Sequence, residues 1–221
     1  MDGNGRWATA QGLPRVEGHK KGAEVLAEVV RHAKVRKIKH LTLYAFSTEN
    51  WNRPIEEVRG IMNLLRAYLK NANNYRKENA RTRILGERES LDADLREMIV
   101  NVEKWSAGND GINVNIALNY GGRDEIVHSA RAAAKKLLEG EIALQQIDKA
   151  MLAGGMYTAG QPDVDLIIRT GGERRISNFL LWQSAYAELI FFDKHWPDFG
   201  PSHFDSALEE FGARARRMGG V

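Results

Sequence analysis

At 221 residues, with 43% hydrophobic side chains, the chain is long enough for one domain with a sizeable core and too short for two comfortable ones. Its net charge of +3 is too weak to imply nucleic acid as a partner, and the absence of cysteine excludes disulfides, thiolate metal clusters and a cysteine nucleophile. The longest apolar stretches, Leu41 to Phe46 and Glu188 to Phe192, fall far short of the roughly 20 residues needed to span a bilayer, and no signal peptide is visible, so a cytoplasmic protein is expected.

The chain opens on a glycine-rich segment, Met1 to Trp7, whose Gly and Asn residues leave open both an ordinary tight turn and a close approach of backbone to a phosphate. Ala23, Leu26, Ala27, Val30 and Ala33 then recur at helical spacing, and Leu41 to Phe46 reads as a buried strand. Pro54 stands where a first helical residue belongs, with Glu56 and Glu57 at the positive end of the dipole, and Val58, Ile61, Met62, Leu65 and Leu69 form one stripe, so a helix is expected from about Pro54 to Lys70. A short strand near Arg83 to Leu85 follows, then a helix capped by Ser90 with Asp92 and Asp94 in its first turn.

Ile112, Val114, Ile116 and Leu118 alternate with smaller or polar residues as a strand does, and Gly121-Gly122 leads into a helix through Lys136 and Leu137. Another helix is expected over Ile147 to Leu152, a strand over Val164 to Ile168, a helical stretch around Phe179 to Tyr186, and a last strand near Leu189 to Phe192. Ser202 and Asp205 form a capping pair for a terminal helix. The alternation predicts an α/β fold: a central, mostly parallel sheet flanked by helices, with ligands beyond the carboxyl ends of the strands. No repeat or linker marks a boundary, so residues 1–221 are expected to be a single domain.

Three segments carry the chemistry. Two glycines beside an acid and a base, in Met1 to Trp7, allow backbone N–H groups to approach a phosphate closely; Arg15 and the stretch Gly18-His19-Lys20-Lys21-Gly22 add cationic donors just before a helix. Lys20 and Lys21 read as solvated surface, which leaves Arg15 and His19 as the functional candidates. After the first strand, Ser47, Asn50, Trp51 and Arg53 stand where a parallel sheet presents ligand groups. Late in the chain, Asp165 to Ser177 combines a strand, a glycine turn, Arg169, Arg175 and Ser177, and guanidinium forks suit diphosphate oxygens. The acid Glu188 lies a little further on. Neither a Gly-x-x-x-x-Gly-Lys-Ser/Thr loop nor a Gly-x-Gly-x-x-Gly after a strand is present, which argues against a nucleotide-binding protein.

Taken together, MDGNGRWA, GHKKG, YAFSTENWNRP, NYGGR, DLIIRTGGE and RISNFLLWQSAYAE, in order from Met1 to Glu188, resemble the signature segments of the cis-prenyltransferase family, nearest to its bacterial undecaprenyl diphosphate synthases. The resemblance implies an apolar product tunnel between sheet and helices, and condensation of isopentenyl diphosphate onto farnesyl diphosphate to make undecaprenyl diphosphate, the lipid-carrier precursor for bacterial cell-wall synthesis. It assigns Gly3, Asn4, Gly5, Arg6, Trp7, Arg15 and His19 to the primer diphosphate, and Arg169, Arg175 and Ser177 to isopentenyl diphosphate. Asp2 and Glu188 match the acids that position Mg²⁺; Asp2 and Asn50 are the catalytic candidates.

Ser47, Trp51 and Arg53 match substrate-contacting positions, and Glu57 sits on the following helix where it could influence a mobile lid. The proton acceptor stays open between Asn50, Ser47 and a diphosphate oxygen. The family also has a hydrophobic strand immediately before the Asp-Gly-Asn-Gly segment, a strand missing upstream of Met1 here. A homodimer is implied, with the Arg-rich tail near Arg216 and Gly219 contributing, together with transient contact with the inner membrane face. A catalytically silent partner subunit is the alternative, and retention of Asp2, Asn4, Arg6, Arg169, Arg175 and Glu188 argues against it.

Overall fold

The computed structural model describes residues 1–70 and 79–214. Five strands and seven α-helices alternate along them: α1 (Asn4–Ala10), α2 (Arg15–Val35), β1 (His40–Ser47), α3 (Ile55–Lys70), β2 (Ala80–Leu85), α4 (Ala93–Ser106), β3 (Ile112–Tyr120), α5 (Gly122–Leu138), α6 (Lys149–Gly154), β4 (Leu166–Arg169), β5 (Glu188–Phe191) and α7 (Pro201–Ala213). Every strand pair is parallel, as the crossover helices require. The strands form a three-stranded sheet, β1-β3-β2, and a two-stranded one, β4-β5, so the architecture is the expected α/β fold with parallel sheet and flanking helices.

The central strand β3 is buried along nearly its whole length, because a parallel sheet is covered on both faces. Ile116 and Leu118, with Phe46 of β1, are almost fully buried, each contributing on the order of 1.5–3 kcal/mol of burial free energy. The stripe Val58, Met62, Leu65 and Leu69 turns α3 into the core, and Val25, Leu26, Val29, Val30 and Ala33 do the same for α2.

Several local expectations give way to tertiary structure. From Asn4 on, the opening glycine-rich segment is the helix α1, entered through a left-handed Gly3, and α2 already begins at Arg15, so Gly18 and Gly22 lie inside it. A Cβ on Gly18 would stand 1.9 Å from the Asn4 carbonyl oxygen, and one on Gly22 would stand 2.5 Å from Asn4 Oδ1. These glycines serve close helix packing, and the GHKKG stretch is not a phosphate loop. Lys20 and Lys21 pair with Glu17 and Glu24 on the surface, as expected.

Ser90 does not cap α4: its hydroxyl donates to Glu87 (2.5 Å), and Asp92 takes the cap position. The helix expected over Ile147 to Leu152 is α6, shifted to follow Asp148, whose side chain accepts from Met151 N (2.8 Å). Residues Phe179 to Tyr186 form turns, since Ser177, Asn178 and Leu180 all have positive φ (49°, 62° and 45°), which no right-handed helix accommodates. Gly200 and Pro201 start α7 in place of the Ser202–Asp205 pair, and Asp205 instead accepts from Arg36 Nε (2.6 Å) and faces His32 Nε2 (2.7 Å).

Candidate active site

The amino-terminal segment is fastened to the carboxyl end of β4. Asp2 N donates to Thr170 Oγ1 (3.0 Å), Thr170 Oγ1 donates back to the Asp2 carbonyl (2.9 Å), and Trp196 N donates to the same carbonyl (2.9 Å). Gly3 follows with φ 99°, and a Cβ there would meet the His195 ring at 2.4 Å, so no other residue fits this turn without strain.

These anchors aim the Asp2 carboxylate at cationic partners: Oδ1 accepts from Gly3 N (2.7 Å) and lies 3.5 Å from Arg6 Nη2, and Oδ2 accepts from Arg169 Nη2 (3.0 Å). Burial pushes the Asp2 carboxyl up, but the Arg169 hydrogen bond and charge, with Gly3 N–H and Arg6, outweigh it and hold the carboxyl below the usual range. Gly171 (φ 87°) completes the corner, where a Cβ would stand 2.8 Å from Arg6 Nη2.

A second group lies where α2 meets α3. Arg15 Nε and Nη2 donate to the two oxygens of Glu57 (2.9 and 3.2 Å), Arg53 Nη1 donates to Glu57 Oε1 (3.0 Å), and His19 Nε2 lies 3.4 Å from that oxygen. Burial would raise the Glu57 carboxyl, yet the Arg15 hydrogen bond and charge, with Arg53 and His19, keep it below its ordinary value. Burial lowers His19, an effect that Glu57 only partly offsets. Gly5 faces this cluster from α1: a Cβ on it would be 2.5 Å from Arg15 Cζ, so glycine lets the guanidinium lie against the α1 backbone.

At the carboxyl end of β1, Ser47 N donates to Asn50 Oδ1 (3.1 Å), which fixes the Asn50 amide. Beyond β4, Arg169 Nη1 donates to Ser177 Oγ (2.7 Å) and to the Arg175 carbonyl, and Arg175 pairs with Glu173. The loop that carries Ser177 is stapled by Asn178, whose carbonyl accepts from Gly122 N (2.7 Å), whose Oδ1 accepts from Arg123 N (2.9 Å) and whose Nδ2 donates to Glu49 (2.9 Å).

One cavity of about 1170 Å³ joins these groups. Asp2, Gly3, Asn4, Arg6, Arg15, His19, Ser47, Asn50, Arg53, Arg169, Arg175 and Ser177 all line it, gathered toward the carboxyl ends of β1 and β4. Elsewhere its lining mixes apolar side chains, among them Val29, Leu41, Leu43, Ile61, Ile168, Phe204, Leu208 and Phe211, with Lys37, Lys39, His40, Asp163 and Asp165 near the amino ends of β1 and β4. Successive residues of β1 and of the β4 segment line it, so it runs between the edges of the two sheets with α2, α3 and α7 on one side.

Four candidates stand elsewhere. Gly5 packs behind Arg15, Trp7 Nε1 donates to Asp198 (2.8 Å), and Trp51, 41% exposed, donates to Asn119 Oδ1 (2.7 Å) and meets Phe46 edge-on. Glu188 begins β5 opposite Leu166, three residues before the Phe191–Arg169 pair, hence about 10 Å along the strand from the Asp2 end. Its carboxylate accepts from Arg214 Nη1 (2.7 Å). Asp2 and Glu188 therefore do not meet within one chain, and among the described residues no cluster of three or more acidic, histidine or cysteine side chains could hold a metal. The Asp2 carboxylate, at the end of the cavity where the arginines gather, suits Mg²⁺, which takes one or two protein carboxylates and completes its shell with substrate phosphates and water.

Sequence reasoning missed Thr170 and Asn178. Thr170 lies inside the DLIIRTGGE segment beside Arg169, and Asn178 follows Ser177 in RISNF, where asparagine is a residue type that tolerates positive φ.

Residues 1–219 match the family model described as "Putative undecaprenyl diphosphate synthase". The isoprenyl transferase of Agrobacterium fabrum is 46% identical over 222 residues, covering 100% of this chain and 90% of its own length. Among solved structures, lavandulyl diphosphate synthase from Lavandula x intermedia, in complex with dimethylallyl diphosphate, superposes with a TM-score of 0.96 at 32% identity, covering 100% of this chain and 95% of that one. A probable undecaprenyl diphosphate synthase from Campylobacter jejuni gives 0.80 at 35% identity, covering 91% and 93%.

Proposed function

The chain belongs to the undecaprenyl diphosphate synthase family of isoprenyl transferases, and on that premise we propose that it extends farnesyl diphosphate with isopentenyl diphosphate units, cis at each new double bond, to undecaprenyl diphosphate for peptidoglycan synthesis. The observation that carries this reading is the convergence of Arg6, Arg15, Arg53, Arg169, Arg175 and Ser177 on one cavity that also has apolar lining, which suits a ligand with an anionic head and a hydrocarbon tail.

Arg15 and His19, with Gly3 and the first residues of α1 through Arg6, hold the primer's diphosphate; Arg169, Arg175 and Ser177 hold that of isopentenyl diphosphate. In each cycle the isopentenyl double bond attacks the allylic carbon, a C–C bond forms, the C–O bond to the primer diphosphate breaks, and a proton leaves the condensed unit. Preorganised cationic donors stabilise the charge that builds on the departing diphosphate. Mg²⁺ at Asp2 would add positive charge at the same place. Glu188 enters this reading as a second acidic group, which requires its release from Arg214. Asn50, far too weak a base to take the proton at neutral pH, orients the reacting unit, and an oxygen of the departing diphosphate accepts the proton.

Residues 1–221 work as one domain in this scheme, as a cytoplasmic homodimer in transient contact with the inner membrane face. No helix among the described residues is long and apolar enough to cross a membrane. Arg216 and Gly219, expected at the dimer contact, lie outside the described residues.

Incubation of the purified chain with farnesyl diphosphate, labelled isopentenyl diphosphate and Mg²⁺, beside an Asp2→Ala control, tests the reading. Metal-dependent long-chain lipids absent from the control are expected; a folded wild-type protein that makes none overturns it.

A further inference from the structure

The segment Arg31 to Lys39 carries five Lys and Arg residues in nine positions, more formal charge than the net +3 of the whole chain, and no acid occurs from Val29 to Thr48. It spans the last turn of α2 and the turn into β1, at the amino end of that strand and so at the opposite end from Ser47 and Asn50. Arg31, Val35, Arg36, Lys37 and Lys39 are exposed, Val35 to 74%. Helix stability accounts for only part of the cluster. Lys34 and Arg36 complement the negative end of the α2 dipole, and Arg36 pairs with Asp205 (2.6 Å), but the dipole's influence ends with the last turn. Lys37, at φ 59°, and Lys39 lie beyond it, and neither side chain forms a salt bridge among the described residues. Both line the cavity, with Asp163 and Asp165 the acids at that end.

Resting on the reading of the product as a long hydrocarbon chain, we propose that this cluster is the face by which the protein rests on an anionic membrane surface. Lysine is a hydrated point charge on a flexible stem, suited to a fluid layer of headgroups, whereas the arginine forks at the other end of the cavity suit one fixed diphosphate. Val35, exposed among the cations, is placed to enter the headgroup layer, as the apolar side of an interfacial segment does. Docking at the amino end of β1 leaves the carboxyl end, where the arginines gather, to the water-soluble diphosphates. Nucleic acid fits less well, because the cations are local and the chain as a whole is close to neutral.

Co-sedimentation with vesicles tests this without any catalytic turnover. The purified chain should be retained by phosphatidylcholine vesicles that contain phosphatidylglycerol, released from them by high salt, and left in solution by phosphatidylcholine alone. Lys37→Gln combined with Lys39→Gln should bind roughly 25-fold more weakly, at about fivefold per lysine, whereas Lys37→Arg with Lys39→Arg keeps the charge and the binding. Lys20→Gln with Lys21→Gln removes the same charge near the other end of α2 and should bind within about twofold of wild type. Equal retention by neutral vesicles, an equal loss in the Lys20 and Lys21 variant, displacement by millimolar inorganic phosphate, or tighter retention on a random-sequence oligonucleotide overturns the proposal. A chain that makes lipid but ignores anionic vesicles defeats this proposal alone. One that binds them through Lys37 and Lys39 yet makes no lipid defeats the functional reading alone.

Discussion

Arg169 Nη2 donates to Asp2 Oδ2 at 3.0 Å, joining two residues 167 positions apart. The contact ties the opening segment to the strand-turn motif near the end of the chain, so each sets the geometry of the other. Arg169 is the better buried partner, with 14% of its side chain exposed against 39% for Asp2. Removing either charge therefore leaves an uneven result: a solvated carboxylate in one case, a poorly solvated guanidinium in the other.

Asp2→Asn preserves shape and cancels the charge. Turnover is expected to fall about 10²–10³-fold, the usual cost of losing one electrostatic group at a reacting centre. Stability should fall by about 1–3 kcal/mol, since Arg169, 14% exposed, loses the carboxylate that balances its charge. Product formation measured beside a thermal melt checks both, and an active variant would remove Asp2 from the catalytic assignment.

Arg169→Lys keeps a cation but loses the fork that reaches Asp2 and Ser177 together. The KM for isopentenyl diphosphate should rise about 10–100-fold, equivalent to roughly 1.5–3 kcal/mol for a charge-assisted hydrogen bond. Initial rates at fixed farnesyl diphosphate read this directly, and an unaltered KM would mean that the late motif holds something else.

Legibility in the sequence followed the origin of each structural feature. The α3 stripe and the alternation of β3 are local patterns whose burial is written into their periodicity, and both elements emerged close to their expected limits. Residues 4–10 gave no such pattern, because α1 exists through contact with Gly18 and Gly22, fourteen and eighteen positions beyond Asn4. The same two glycines looked like a phosphate loop for want of that contact. Residues 179–186 failed in the opposite sense: their apolar spacing suits a helix, but backbone reversals at Ser177, Asn178 and Leu180 prevent one. At the site, Arg169, Arg175 and Ser177 were legible from one contiguous motif. The orientation of Trp51 toward Asn119, and of Glu188 toward Arg214, depends on partners far away in sequence, which no local reading supplies.

Gly18→Ala tests the packing role assigned to the GHKKG stretch. Alanine favours a helix by about 1 kcal/mol over glycine, so an exposed helical glycine would gain stability from the change. Here the new Cβ would stand 1.9 Å from the Asn4 carbonyl oxygen, a backbone atom that cannot move without displacing α1. A net loss of about 1–3 kcal/mol is expected, read as a lower midpoint in chemical denaturation. A stabilised variant would contradict the α1–α2 contact.

Asp205 gives the fold a specific acid response. Hydrogen bonds from Arg36 and His32 hold its carboxyl down to about 2, against an ordinary value near 3.8. A carboxylate depressed in the folded state contributes stability that is present above the unfolded value and lost as pH falls toward the folded one. The Tm difference between wild type and Asp205→Asn should therefore be fully developed above about pH 4 and vanish toward pH 2. A difference independent of pH would mean that Asp205 acts through packing of α7 alone.

Ala45 offers a test of where the growing chain lies. It lines the cavity from β1, between Leu43 and Ser47, where its single methyl group leaves room that a larger side chain would fill. On the proposed reading the diphosphate is held at the carboxyl end of β1, beyond Ser47, so a tail that runs back along the strand lies against Ala45. Ala45→Leu should then leave the first condensations intact and stop elongation early, shifting the products to shorter chains. Lipid extracts separated by length report the outcome. A slower reaction with an unchanged product length would place the tail along a different wall, toward α3 and Ile61.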